Sequence, residues 1–567
     1  MRLGRISKIN NMNNERVDKI EAAADPNKKR PSALQPIFFA LTLIGGMFIG
    51  TNLDDQNLLS VKTGTEENPN KLVSLIDFIE DNYVDSVDKK KLIDDAIESI
   101  LKNLDPHSYY MNPEDLADAQ EQLEGKFDGI GVEFLILRDS LMVVKTVPGG
   151  PSEQAGLKAG DRIVMVEGKE ISGKELDSDK AQKLLKGKKG SGVNVTVKRQ
   201  GEKNNLQFTI TRGSIPIESV AASFMVNDTT GYVKIDRFAQ TTYDEFYEAT
   251  SNLQKSGAKK LIMDLRGNGG GLLDQATRMI EEFLPKGKMI VYTEGTHQGR
   301  EEMKSSKTGD FIEMEVVVMI DQGSASASEI VAGALQDWDR SVTVGRRSFG
   351  KGLVQHEIEL PDRSALRLTV ARYYTPTGRC IQKPYGDSID YAGDFHQRLI
   401  SGELTSADSI HFPDSLRFTT LGGKNRTVYG GGGIMPDIFV PIDSVYLNGV
   451  LGDLSYSGIV REYAFDYTDA HRKDLSKYKN AQDFVKKFVV TDAMIAELLK
   501  KASDKGIKAQ ASTLRKVTPE LKNRLKAQIA RHQFDDDAMF MVLLEADKDF
   551  KQAMDVTKNY AKYALAQ

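Results

Sequence analysis

One cysteine, Cys380, occurs among 567 residues. That scarcity excludes an internal disulfide framework and any cysteine-rich metal site. The seven histidines are scattered, with no His-x-x-x-His spacing, so nothing points to a metal centre. No long basic stripe is present and the net charge is only -5, which argues against nucleic acid as a partner. The run Gly269-Gly270-Gly271 lacks the Gly-Lys-Ser/Thr ending of a phosphate-binding Walker loop. Long apolar stretches are absent too, except for one near the start.

That stretch, Pro31 to Leu53, carries no charge; Lys28, Lys29 and Arg30 precede it, and Asp54 and Asp55 come after it. Positive charge ahead of an apolar segment favours a cytoplasmic N-terminus and export of the remainder of the chain. No Ala-x-Ala site closes the segment and no cysteine offers lipidation there, so a retained signal anchor is preferred over a cleaved signal peptide. The expected location is the cell envelope, anchored in the inner membrane with the bulk of the chain in the periplasm or otherwise outside the cytoplasm.

The 567 residues, 40% of them hydrophobic, suffice for about four domains with several cores. Residues 1–65 read as a cytoplasmic tail, anchor and linker. Residues 66–123 read as helices: Leu72, Leu75, Ile76 and Ile79 share one helical face, and Leu92, Ile93, Ala96, Ile97 and Ile100 another. Leu104-Asp105-Pro106-His107-Ser108 is a loop, and a lone loop histidine there reads as structural. Residues 448–567 read as a helical extension, with Thr518-Pro519-Glu520 as a helix start and Met539–Leu544 as packed core.

Residues 124–213 form a small β-rich module. Val193, Val195 and Val197 alternate, then Leu206, Phe208 and Ile210, across a polar turn, which is a hairpin signature. Upstream stand Gly129-Ile130-Gly131-Val132, then Pro148-Gly149-Gly150-Pro151, then Gly160-Asp161-Arg162-Ile163. This order resembles a PDZ domain. The resemblance implies that amides of Gly129, Ile130, Gly131 and Val132 receive a peptide's terminal carboxylate while the peptide adds as a strand.

Residues 214–447 alternate strand and helix: strand Lys260–Leu265, a glycine-rich loop, helix Leu272–Leu284, then strand Val316–Ile320, loop Asp321–Ala325 and a helix from Ser326 to about Trp338. Such repeats predict an α/β core with working loops at strand C-termini. A small-residue turn between strand and helix exposes a serine hydroxyl beside unpaired helix amides, which stabilise developing negative charge. Ser324, Ser326 and Ser328 all compete for that place. Lys351, between Gly350 and Gly352, is a base if apolar neighbours such as Phe349 and Leu353 strip it of its proton. If Lys351 to Gln355 is extended, both side chains share one strand face and His356 turns away. His356 and His297 remain the candidates for a rival Ser–His hydrolase.

Taken together, the PDZ-like module, Asp264-Leu265-Arg266…Gly269-Gly270-Gly271, Ala325-Ser326-Ala327-Ser328-Glu329, Phe349-Gly350-Lys351-Gly352…Gln355 and Leu368–Gly378 resemble the C-terminal processing peptidases, or tail-specific proteases, over roughly residues 66–445. The resemblance implies Ser326 as nucleophile, Lys351 as general base and Gln355 as the residue orienting the lysine. It implies Gly271 and Ala327 as oxyanion donors. The expected architecture is a multidomain α/β chain: an α/β protease core with an inserted PDZ domain, N-terminal helices and a helical C-terminal extension. The expected activity is a serine endopeptidase acting on proteins or peptides with free C-termini, without metal or other cofactor. An adaptor and a homo-oligomer stay open, as does a catalytically silent PDZ scaffold.

Overall fold

The computed structural model describes residues 70–137, 140–171, 176–386 and 389–565. The proposed anchor, Pro31–Leu53, lies outside the described residues, and among the described residues no helix is long and apolar enough to cross a membrane. The chain divides after Val87 into two compact units. In the first, the described residues are 70–87, with the helix Lys71–Asn82. The second holds every element from Asp88 onward.

Helix Lys89–Lys102 is capped by Asp88, whose side chain accepts from Lys91 N. Helix Pro113–Glu124 comes after Asn112, which takes the amides of Glu114 and Asp115, and it stops at Gly125 in the left-handed region. The PDZ-like module is a sheet of Val132–Leu137, Ser140–Thr146, Arg162–Val166, Gly192–Lys198 and Leu206–Thr211, with a small strand Lys169–Glu170 at its side and helix Ser178–Leu185 beside it. Strand Lys126–Gly129 enters the module and pairs with Gly213–Pro216, which leaves it, so an antiparallel ribbon ties the insertion to the body.

The body is built on a six-stranded sheet whose spatial order matches the sequence: Val220–Asn227, Thr230–Ile235, Lys260–Asp264, Glu315–Ile320, Ser341–Gly345 and Ile438–Phe439. All neighbours are parallel except the first pair. Parallel strands laid down in one direction with right-handed crossovers place their helices on one face. Accordingly Thr242–Lys255, Leu273–Glu281 and Ala327–Asp337 pack with Val233, Met263, Val316 and Val318. Alternate residues of the same strands, Tyr232, Ile262, Val317, Met319 and Val344, point the other way and need a second cover. Leu544, Phe550, Ala553 and Val556 of the C-terminal helices Asp536–Ala546 and Lys548–Lys558 supply it. The C-terminal region is therefore a layer of the α/β sandwich as well as an extension with its own core.

Two local expectations fail. Thr518-Pro519 starts no helix: Pro519 lies inside Ala511–Gln533, and Thr518 Oγ1 donates back to Leu514 O. An interior proline costs about 3 kcal/mol, and the buried row Val517, Leu521 and Leu525 offsets it. Second, Lys351 precedes its strand, which runs Leu353–Glu359 and breaks register between Val354 and Gln355. Even spacing alone therefore does not align Lys351 with Gln355. That strand pairs with Ala365–Tyr374 in a second, antiparallel sheet with Tyr109–Met111, Met289–Glu294 and Glu301–Lys304.

Candidate active site

Strand Glu315–Ile320 delivers the chain to the turn Asp321–Ala325, and Ser326 comes next with φ +55° and ψ -116°. A non-glycine residue at such a φ is strained and is held by its surroundings. Helix Ala327–Asp337 begins one residue later, so the Ala327 amide is among those without an intrahelical acceptor. Hydrogen bonding distinguishes the three serines. Ser324 Oγ donates to Leu265 O and Ser328 Oγ to Asn268 O, and both residues are fully buried. These two hydroxyls fasten the turn to the glycine-rich loop. Ala325 N donates to Asn268 O as well.

That loop approaches its neighbours closely at Gly270 and Gly271. A Cβ on Gly270 would sit 2.7 Å from Ser326 Cβ, and one on Gly271 would sit 2.1 Å from Phe238 O. Only hydrogen fits at either position.

Lys351 is half-buried, and burial, together with the nearby Arg367 guanidinium, lowers its pKa, while Glu329 and Asp105 pull the other way. Its backbone is fixed from two sides. The Glu329 carboxylate, fully buried in the first turn of the helix, accepts from Lys351 N at 2.8 Å, Gly350 N at 2.7 Å, Ser348 Oγ at 2.5 Å and Ser326 N at 2.8 Å. Burial pushes this carboxyl up to about 7, against four donors that favour the charged form. On the other side, the Tyr373 hydroxyl donates to Lys351 O and lies 3.2 Å from Ser326 O.

Gln355 donates to Thr369 Oγ1 at 3.4 Å, and Thr369 Oγ1 donates to Asp105 Oδ1 at 3.0 Å. Asp105, buried, also takes the amides of His107 and Ser108 and the Ser108 hydroxyl. The Asp105–Ser108 loop thus reaches the site through Thr369. His107 is packed edge-on against Phe349 and Tyr391, with Nε2 2.7 Å from Tyr391 Oη. Burial, then Lys351, brings its pKa down to about 4.

A cavity of about 370 Å³ is lined by Gly271, Ser326, Ala327, Lys351 and Gln355 together, with Leu353, Arg367 and Tyr373 among its walls. All five residues singled out for chemistry border one space. His356 and His297 stand outside that lining. Among the described residues no group of three or more His, Cys, Asp or Glu is placed to hold a metal ion. A second cavity, about 440 Å³, lies between strand Val132–Leu137 and helix Ser178–Leu185; Gly129, Ile130, Gly131 and Val132 line it, with Phe134 and Leu185 as apolar wall. Gly131 has φ +73°, and its carbonyl and that of Ile130 are taken by Val147 N and Ser152 N.

Glu329, Tyr373, Thr369 and Asp105 carry no signal in a single sequence beyond their place near the motifs. Asp105 offers one clue: it opens a proline-containing loop that a helical region need not have.

The family model for peptidase family S41 matches residues 229–390, that for the PDZ domain matches 129–210, and the one for the activating protease CtpB N-terminal domain matches 41–115. Residues 450–535 match a family of unknown function. The carboxy-terminal-processing protease of Bartonella bacilliformis is 38% identical over 355 residues, which cover 61% of this chain and 80% of that one. Carboxy-terminal processing protease CtpA of Bacillus subtilis is 36% identical over 345 residues, covering 61% and 72%. The solved photosystem II D1 C-terminal processing protease is 29% identical, covers 55% of this chain and 89% of its own, and superposes with a TM-score of 0.31. With its S41 core, its PDZ module and relatives of this identity and coverage, the chain belongs to the carboxy-terminal-processing proteases, serine-type peptidases of family S41.

Proposed function

We propose that the chain cleaves exported polypeptides after capturing their free C-termini, using Ser326 and Lys351 as a serine–lysine dyad. The observation that carries this reading is the single cavity bordered by Ser326, Lys351, Gln355, Gly271 and Ala327. Neutral Lys351 takes the Ser326 proton as the hydroxyl oxygen attacks a peptide carbonyl. The amides of Gly271 and Ala327 hold the oxyanion. The ammonium then protonates the leaving amine, and water, activated by the same lysine, releases the acyl group. Gln355, tied through Thr369 to Asp105, lines the same cavity as the lysine and is assigned the part of orienting it. No step calls for a metal or nucleotide.

The PDZ groove supplies the second half. A tail adds beside Val132–Leu137, its carboxylate at the Gly129–Val132 amides and its last side chain against Phe134 and Leu185. Work outside the cytoplasm is supported by the Lys28–Arg30 and Pro31–Leu53 pattern alone.

The test is cleavage of an unfolded polypeptide with an apolar, free C-terminus by the purified chain and by Ser326→Ala, Lys351→Ala and His356→Ala. The first two variants are expected to be inactive and the third to keep most activity. An inactive wild type favours the silent-scaffold reading, and loss confined to Ser326→Ala and His356→Ala favours a Ser–His hydrolase.

A further inference from the structure

Helix Lys548–Lys558, on the far face of the sheet, contacts the starts of two loops that lead into the candidate active site. Its second residue, Asp549, is 5% exposed. Asp549 Oδ1 accepts from Arg346 Nη1 and Oδ2 from Arg346 Nη2, both at 3.0 Å, a bidentate fork. The same Oδ2 also accepts from Arg266 Nη1 at 3.2 Å. Asp547, the cap of the same helix, takes that Arg266 nitrogen at 2.7 Å.

These two arginines hold particular places in the chain. Arg266 lies just past strand Lys260–Asp264 and opens the loop that ends at Gly271. Arg346 is the first residue after Ser341–Gly345 and opens the loop that ends at Lys351. Both guanidinium groups have further fixed partners: Asp264 for Arg266, Gln322 Oε1 and Val440 O for Arg346. One carboxylate from the C-terminal region therefore bridges the origins of the oxyanion loop and of the base loop.

We propose that Asp549 is a positioning residue of the peptidase, setting the loop that carries Gly271 and the loop that carries Lys351 at their working separation. The proposal rests on the dyad reading of the site. Its chemistry is geometric. A planar fork fixes the guanidinium plane, and a shift of about 1 Å between reacting groups lowers turnover up to roughly a hundredfold. It also gives helix Lys548–Lys558, beyond the sheet it covers, a part in positioning the site.

The test uses the full chain with Asp549→Asn, Arg346→Gln, the Asp549→Asn/Arg346→Gln double variant and Asp547→Asn. The double variant removes both charges of the fork together and so guards against simple unfolding. Thermal unfolding identifies which variants are folded. Asp549→Asn and Arg346→Gln are expected to lose kcat by about tenfold or more, with KM and binding of a fluorescent free-tail peptide within about twofold. The double variant should lose no more than the worse single one, since one interaction is removed twice. Asp547→Asn, which of the two arginines meets only Arg266 and otherwise caps the helix at Phe550 N, should lose less. Folded variants with kcat within about twofold of wild type overturn the proposal, as does a raised KM at unchanged kcat. Failure of the single and double variants to fold also overturns it, because it assigns Asp549 to the fold. Cleavage surviving Ser326→Ala would instead refute the dyad, whatever Asp549 does.

Discussion

Ser326 and Lys351 are joined through one atom: Oε2 of Glu329 accepts the main-chain amide of each at 2.8 Å. The two residues thereby share a buried reference point, and Oε1 secures Gly350 and Ser348 beside it. Glu329→Gln replaces one of these oxygens with an amide that cannot accept. The expected loss is about a hundredfold in kcat, measured by steady-state cleavage, from misplacement of both members of the proposed dyad.

The same carboxyl has a stability signature. Its pKa is raised from the ordinary glutamate range to about 7 by burial. The folded chain therefore binds an extra proton between about pH 4.5 and 7, and this group's contribution to stability declines as pH rises through that window. Comparing the pH dependence of Tm for the wild type and Glu329→Gln checks the sign: the variant should lose part of that decline.

The lysine's own titration is open to a cleaner test. In the proposed dyad, turnover requires neutral Lys351, so the rate should climb with pH through the lysine's pKa, which lies below its ordinary value. Arg367, after burial, is the next cause of that depression. Arg367→Gln removes a neighbouring positive charge, so the lysine's pKa rises and the ascending limb of the pH–kcat profile moves to higher pH. A limb displaced to lower pH would contradict the electrostatic role.

In the PDZ module, Gly131 adopts φ +73°, and a Cβ there would fall 2.9 Å from Ile215 Cδ1. Gly131→Val is therefore expected to spoil the loop proposed to bind the substrate's terminal carboxylate. Free-tail substrates should lose roughly tenfold or more in kcat/KM, the scale of the charged hydrogen bonds removed. Amidated-tail substrates should change little. Equal losses on both kinds of tail would place the defect elsewhere.

Much of this candidate site is legible in the sequence because the segments that line its cavity are short and local. The Ser326 turn, the Gly269–Gly271 run and Lys351 lie in short segments whose residue types are dictated by close approach and strained backbone. The strand Ala365–Tyr374 is legible from alternation. What joins these segments is not. Glu329 reads as a helix-start glutamate, and only folding shows it receiving donors from residues 19 to 22 positions away. Asp105 reaches Thr369 across 264 positions. The sequence likewise reads residues 448–567 as mostly helical, with Met539–Leu544 packed, but does not show that Asp536–Ala546 and Lys548–Lys558 cover the sheet. The departure at Thr518–Pro519 has a related cause: packing of Leu521 and Leu525 overrides a local start signal.

The C-terminal cover makes a stability prediction. Phe550 packs edge-on against Tyr232 at 5.8 Å between ring centroids, over the sheet. Phe550→Ala should destabilise the fold by about 3–5 kcal/mol, seen as a lowered denaturation midpoint. A change below about 1 kcal/mol would mean that this helix is dispensable to the sheet.

The most direct measurement is the cleavage rate of an unfolded, free-tail polypeptide by the wild type, Lys351→Ala and Lys351→Arg, each verified as folded. Arginine keeps the charge but cannot give up its proton. Both variants are expected to fall by about a thousandfold or more, the scale of losing a general base together with its nucleophile's activation. Substantial turnover by Lys351→Arg would contradict proton abstraction by a neutral amine at position 351.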